Sequence, residues 1–222
     1  MVFLDIVKAV FREFYSSLFF YIFLSFIWFL LSTPIIFLGL NSLLGGVNLL
    51  FLLPALLLGP IFLSGLKTVS CRTGEKGARL RQIFTELPGS FISGLVGIIY
   101  AGIFYAVFYV AFNFYLVRAE NNFFMMVLAV LVLYFALVFT ISQMYFWGLS
   151  ALRPELSFWE KVKYSFLLFI DNLIQSFLWL MGLLGIVALL LIITPGLPVL
   201  FFSLTSLLII VGTRKLSDPY SF

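Results

Sequence analysis

No aspartate, glutamate, lysine or arginine lies from Phe14 to Leu66, from 89 to 117, from 121 to 152, or from 172 to 213. A hydrocarbon layer about 30 Å thick takes roughly 20 apolar residues per helical crossing, so each stretch holds one crossing or two. With 64% hydrophobic and 10% charged residues, the chain would present an insoluble surface to water, and its solvent is lipid. The expected fold class is an all-α integral membrane protein. Its 222 residues form a single transmembrane domain over 1–222, because the crossings leave no room for a separate soluble unit. Asp5, Lys8, Arg12 and Glu13 break up the first turns, so the N-terminus is not expected to be a cleaved signal.

Turn signals divide the long stretches. Gly39, Asn41, Gly45, Gly46 and Asn48 read as a loop between helices at about 17–37 and 48–66. Thr194-Pro195-Gly196-Leu197-Pro198 separates helices at about 172–193 and 197–213. Single crossings at 89–117 and 121–150 complete a count of six. Pro54 and Pro60 lie inside the second, where a kink or re-entrant segment is the alternative. Thr33-Pro34 and Thr194-Pro195 read as helix terminators, or as the lining of an outer vestibule.

Charge distribution gives a second route to the same count. Lysine and arginine collect on the cytoplasmic side of membrane proteins. With six crossings, twelve of the thirteen basic residues fall on one side and Arg118 alone on the other, which places both termini in the cytoplasm. The net charge of +4 follows from this retention by anionic headgroups, and nucleic acid is not expected as a partner.

An internal repeat is visible. Phe11-x-x-Phe14-x-x-Ser17-Leu18, Phe84-x-x-Leu87-x-x-Ser90-Phe91 and Phe166-x-x-Phe169-x-x-Asn172-Leu173 share one spacing, and each leads into an outward helix. The returning helices end on Gly65-Leu66-Lys67, Gly148-Leu149-Ser150 and Gly212-Thr213-Arg214. The predicted unit is a helix hairpin used three times, each copy preceded by a cytoplasmic interfacial amphipathic segment. In the first, Phe3, Val7, Val10 and Phe14 oppose Asp5, Lys8, Arg12 and Glu13. Comparable faces run through 80–87 and 159–170. Such helices are anchors in the headgroup plane, or a platform that docks a partner through Arg12, Arg81 and Lys161.

Small residues mark helix packing in lipid, where no hydrophobic drive brings helices together. Ser90, Ser93, Gly94, Gly97, Ala101 and Gly102 form such a stripe, which makes the helix at 89–117 the expected centre of the bundle. Opposite run Tyr100, Phe104, Tyr105, Phe108, Tyr109, Phe112 and Tyr115, read as lipid-facing or as a pore lining.

The chemistry available is narrow. There is no histidine, the one cysteine is Cys71, and the spacing of a phosphate-binding loop is missing. No enzyme activity, cofactor or metal is expected. The polar groups at membrane depth are Asn113, Gln143, Asp171 and Gln175, with Ser142 beside them. Asp171 reads either as a coupling carboxylate or as a residue near the positive end of an outward helix.

Ser32-Thr33-Pro34-Ile35-Ile36-Phe37-Leu38-Gly39, Leu80-Arg81-Gln82-Ile83-Phe84 and Ser157-Phe158-Trp159-Glu160-Lys161 with Tyr164-Ser165-Phe166 resemble the YesL-like family in order and spacing. The chain departs from the family's pattern at Pro88-Gly89 and at Gly45-Gly46. The resemblance implies a small multi-pass protein of the bacterial cytoplasmic membrane, of a domain class without assigned function. Its members tend to be encoded beside sugar-uptake and polysaccharide-utilisation genes, and no site residues carry over. The expectation is a non-enzymatic accessory or scaffolding component associated with carbohydrate uptake, with the lipid bilayer and a sugar importer as partners. The alternative is a small transporter or channel with a polar site between the repeats.

Overall fold

The computed structural model describes residues 2–44, 53–74, 79–119, 122–192 and 196–218. Among these are eight α-helices, one 3-10 turn and no strand. The helices are α1 Val2–Ser16, α2 Leu18–Leu44, α3 Leu58–Thr73, α4 Gln82–Ala119, α5 Phe123–Leu152, α6 Phe158–Asp171, α7 Leu173–Ile192 and α8 Gly196–Ser217, with the 3-10 turn at Leu53–Leu57 before α3. Six of them, α2 to α5 with α7 and α8, are long and apolar enough to cross a membrane. The protein is an all-α, multi-pass membrane protein whose outer surface meets lipid.

Three boundaries differ from the sequence expectation. Helix α2 runs through Thr33-Pro34, Gly39 and Asn41 instead of stopping near 37. In hydrocarbon a broken helix exposes backbone polar groups that no water can satisfy, so one missing N–H is the smaller loss. The second crossing is described as the 3-10 turn Leu53–Leu57 followed by α3. Pro54 sits in the 3-10 turn and Pro60 in the first turn of α3, where a proline costs no intrahelical bond. Helix α4 starts at Gln82 and passes through Pro88, so the second amphipathic segment is continuous with its crossing. Gly45, Gly46, Asn48, Lys76, Asn121 and Thr194-Pro195 lie outside the described residues.

The repeat takes physical form at its two ends. The chain breaks at Ser17 between α1 and α2 and at Asn172 between α6 and α7, the aligned positions of the first and third copies. Asn172 caps α6 by donating its backbone N–H to Leu168 O. Ser90, the third aligned position, is buried inside the uninterrupted α4.

The helices that close the repeats, α3, α5 and α8, touch one another, and each of α2, α4 and α7 lies against two of them. Helix α2 packs on α8 and α3, α4 on α3 and α5, and α7 on α8 and more lightly on α5. Glycines set these approaches. A Cβ on Gly65 would strike the Phe202 ring of α8, one on Gly148 would strike Thr213, and one on Gly212 would strike the Trp179 indole of α7. These are the glycines that close the three repeats.

The stripe on α4 packs in part. Gly94 meets the backbone of Gly59 and Pro60 in α3, Gly97 faces Trp147 and Phe146 of α5, and Ser90 is buried. Ser93 and Gly102 are exposed and Ala101 is half-buried. Helix α4 is peripheral, not central: its small residues meet α3 and α5 along one side, while only 6% of its crossing is buried and the rest of its surface faces lipid. Its aromatic face is also divided. Tyr100, Phe104, Tyr105 and Phe108 surround Phe139 of α5, with ring centroids 4.7 to 5.7 Å away, while Tyr109 is exposed.

Candidate functional site: a polar seam and a basic rim

Hydroxyl side chains inside a lipid-embedded bundle have two outlets, the carbonyl one turn back or a group on another helix. Ser64 and Thr68 of α3 take the first, donating to Ile61 O and Ser64 O at 3.0 and 2.8 Å. A second set crosses between helices. Ser25 Oγ of α2 donates to Ser203 Oγ of α8 at 2.8 Å, the Ser203 N–H donates back to Ser25 Oγ at 2.9 Å, and Ser203 Oγ donates to Tyr21 O. Ser176 of α7 donates to Asn172 O, so the 2.6 Å bond between Tyr145 of α5 and Ser176 has the phenol as donor. By the same reasoning Ser142 of α5 donates to Ser165 of α6 at 3.0 Å, since Ser165 gives its proton to Val162 O.

The polar residues expected at membrane depth are dispersed by this arrangement. Asn113 donates to Tyr109 O at 2.8 Å within its own helix and links nothing. Asp171 is the exposed last residue of α6. Gln143 is 6% exposed, and its Oε1 accepts no hydrogen bond among the described residues; the same holds for Gln175 Oε1 and for the hydroxyls of Thr205, Ser206 and Thr213. Trp179 of α7, Tyr145 and Leu149 of α5, Phe202 of α8 and Leu66 of α3 belong to one buried apolar cluster, all but closed to solvent.

Basic side chains gather at the end where α3 and α8 finish and where α1 meets α2. Arg72 donates to Ser17 Oγ at 2.6 Å and lies over the Phe20 ring. Arg214 donates to Thr73 O and Ser70 O at 3.0 and 3.3 Å, closing the last turn of α3. Lys215 Nζ stands 3.9 Å from Asp5 Oδ2, and Lys67 donates to Gly89 O at 3.4 Å. Tyr21 OH donates to Glu13 Oε1 at 3.3 Å and ties α2 back to α1. At the opposite end of α4, the Arg118 guanidinium sits 3.7 Å above the Phe114 ring.

Of the three cations expected to face a partner, two are exposed. Arg12 and Arg81 are exposed, and Arg81 lines a hollow of about 370 Å³ with Arg79, Gln82 and Thr85. Lys161 is buried instead and donates to Pro154 O at 3.3 Å. Burial, and then the charge of Lys67, pushes its ammonium below the usual lysine range. The capping box of α6 explains the inward turn. Ser157 accepts from Glu160 N–H while Glu160 Oε2 accepts from Ser157 N–H at 2.8 Å, which fixes the first turn and aims the next residue at the bundle. Those bonds from Ser157 also hold the Glu160 carboxyl below its ordinary range.

Sequence spacing marked Ser17 as a repeat position but gave no sign of its pairing with Arg72. Nothing local in the chain announces Ser25 with Ser203, because the partners are 178 residues apart. No family model, curated protein or solved structure matches this chain.

Proposed function

We propose that this chain is a non-enzymatic scaffold of the bacterial cytoplasmic membrane, an accessory component associated with carbohydrate uptake, with both termini cytoplasmic. The observation that carries the non-transporting part is the filled interior. Trp179 of α7 packs on Tyr145 of α5 and Gly212 of α8, Phe202 of α8 packs on Gly65 of α3 and Trp28 of α2, and the bound hydroxyls join one helix to another. The docking surface in this reading is the basic rim, with Arg12 and Arg81 outward and Lys161 excluded from contact. The likeness to the YesL-like family supplies the sugar importer as the partner and the bacterial membrane as the location.

The test is affinity purification of the full chain in mild detergent, scored for the membrane subunits of a sugar importer. Arg12→Glu with Arg81→Glu is expected to abolish that recovery while the protein still inserts. A small transporter is the second reading, favoured by the buried, unbonded Gln143 Oε1. Solute flux in liposomes containing this chain alone, lost on Gln143→Leu or Asp171→Asn, would replace the scaffold with it.

A further inference from the structure

Helix α1 separates two hollows of opposite character. On its apolar side a cleft of about 510 Å³ is walled by Val7 and Phe11 of α1, Gly182 and Gly185 of α7, and Leu204 and Leu208 of α8. That volume lies within the range of small-ligand sites, about 300–1,000 Å³, and three helices enclose it, unlike the flat lipid-facing surface of α4. Glycines open its floor. A Cβ on Gly185 would meet nothing within 4 Å, and one on Gly182 would meet only the Phe3 ring, at 3.2 Å. Exposed Phe11 and Tyr15 line the rim through which the cleft reaches the surrounding lipid.

On the polar side of the same helix a second hollow, about 220 Å³, is lined by Asp5, Lys8, Arg12 and Lys215. Three cations face one carboxylate, and Asp5 lies against Lys215 at 3.9 Å. The other carboxylate of α1, Glu13, accepts from Tyr21 OH. Lys8 and Arg12 are exposed and stand one residue along the chain from Val7 and Phe11. Adjacent positions along α1 thus line the apolar cleft and the basic hollow.

We infer that this cleft holds one acyl chain of an anionic phospholipid whose phosphate is met by Lys8 and Arg12. Charge complementarity selects the head, since basic pockets beside membrane helices favour anionic lipid over zwitterionic lipid. The enclosed apolar wall selects a chain, so glycerol phosphate without a tail is not held. The inference shares Arg12 with the proposed docking rim but requires neither a protein partner nor a particular leaflet.

Native mass spectrometry of the full chain in detergent tests it, using phosphatidylglycerol and phosphatidylcholine with identical acyl chains. One equivalent of phosphatidylglycerol is expected to survive in preference to phosphatidylcholine. Lys8→Ala with Arg12→Ala lowers its retention by about tenfold, to the zwitterionic level. Gly185→Trp, which fills the cleft, removes both lipids, and the smaller Gly185→Leu weakens both while thermal melting reports that the fold is kept. Arg81→Glu leaves lipid retention unchanged, which separates this site from partner docking. Equal retention of the two lipids by the natural chain, or undiminished phosphatidylglycerol on a folded Gly185→Trp variant, would overturn the assignment.

Discussion

Helices α3 and α4 lie side by side, yet the more apolar of the two is the one left outside. The crossing in α4 has a mean hydropathy of 2.2 and is 6% buried, while the crossing that contains α3 has 1.4 and is half buried. Helix α8 repeats the pattern at 1.7 and 61%. In water this ranking would be inverted, because apolar surface is driven inward. Lipid removes that drive, so hydropathy marks what touches the bilayer, and small or hydroxyl-bearing residues mark what is packed. Length tells the same story. Helix α4 is about 57 Å long at roughly 1.5 Å per residue, beyond the ~40–45 Å of a whole bilayer, and among the described residues it packs on α3, α5 and the 3-10 turn before α3.

The sharpest way to break this contrast is to add the same side chain to a glycine in each environment. Gly59→Leu drives a Cβ into the backbone of Gly94, which no rotamer change relieves. Unfolding in mixed detergent micelles is expected to show a loss of about 3 kcal/mol, the upper end of overpacking costs. Gly102→Leu, on the lipid-facing side of α4 with nothing within 4 Å, should stay within about 0.5 kcal/mol and gain helix propensity. Equal losses at the two sites would mean that α4 is packed along its whole length by something beyond this chain.

Legibility in the sequence follows the same division. Crossings, their number and the closing glycines Gly65, Gly148 and Gly212 were readable, because bilayer thickness fixes helix length and close approach demands a missing side chain. The stop expected at Pro34 failed because propensities learned from water undervalue the helix in hydrocarbon. The central place expected for α4 failed for a related reason: a small stripe specifies a contact, not a position in the bundle. Of the site, Arg12 and Arg81 were correctly placed outward by amphipathic spacing. The inward turn of Lys161 depends on the Ser157 and Glu160 capping box, whose residues were visible but whose effect on a neighbour's direction was not.

A smaller difference is expected between the hydroxyl bonds of the two regions. Ser203→Ala removes the donor to Tyr21 O and the partner of Ser25 Oγ in the buried α2–α8 contact. About 1 kcal/mol should be lost, in line with interhelical bonds in membranes. Thr140→Ala on α5 removes the acceptor of Tyr105 OH in a lipid-exposed contact between α4 and α5, and single interhelical bonds in membranes average about 0.6 kcal/mol. Its effect should be about a few tenths of a kcal/mol. Matching values from the same micelle titration would erase the distinction between seam and surface.

The smallest expected effect separates Lys161 from the solvated cations of the rim. Burial and Lys67 favour its neutral form in the folded protein, so its folded pKa lies below the ordinary value near 10.5. Between those two values the unfolded chain binds more protons than the folded one, and folding stability therefore rises with pH across that interval. The lysine weakens the fold at neutral pH by this amount, while its bond to Pro154 O offsets part of the loss. A shallow increase in melting temperature as pH approaches 10.5, flattened in Lys161→Met, is the expected record. A slope that survives the substitution would assign the titration to another group and return Lys161 to the exposed face that its place in the amphipathic pattern suggests.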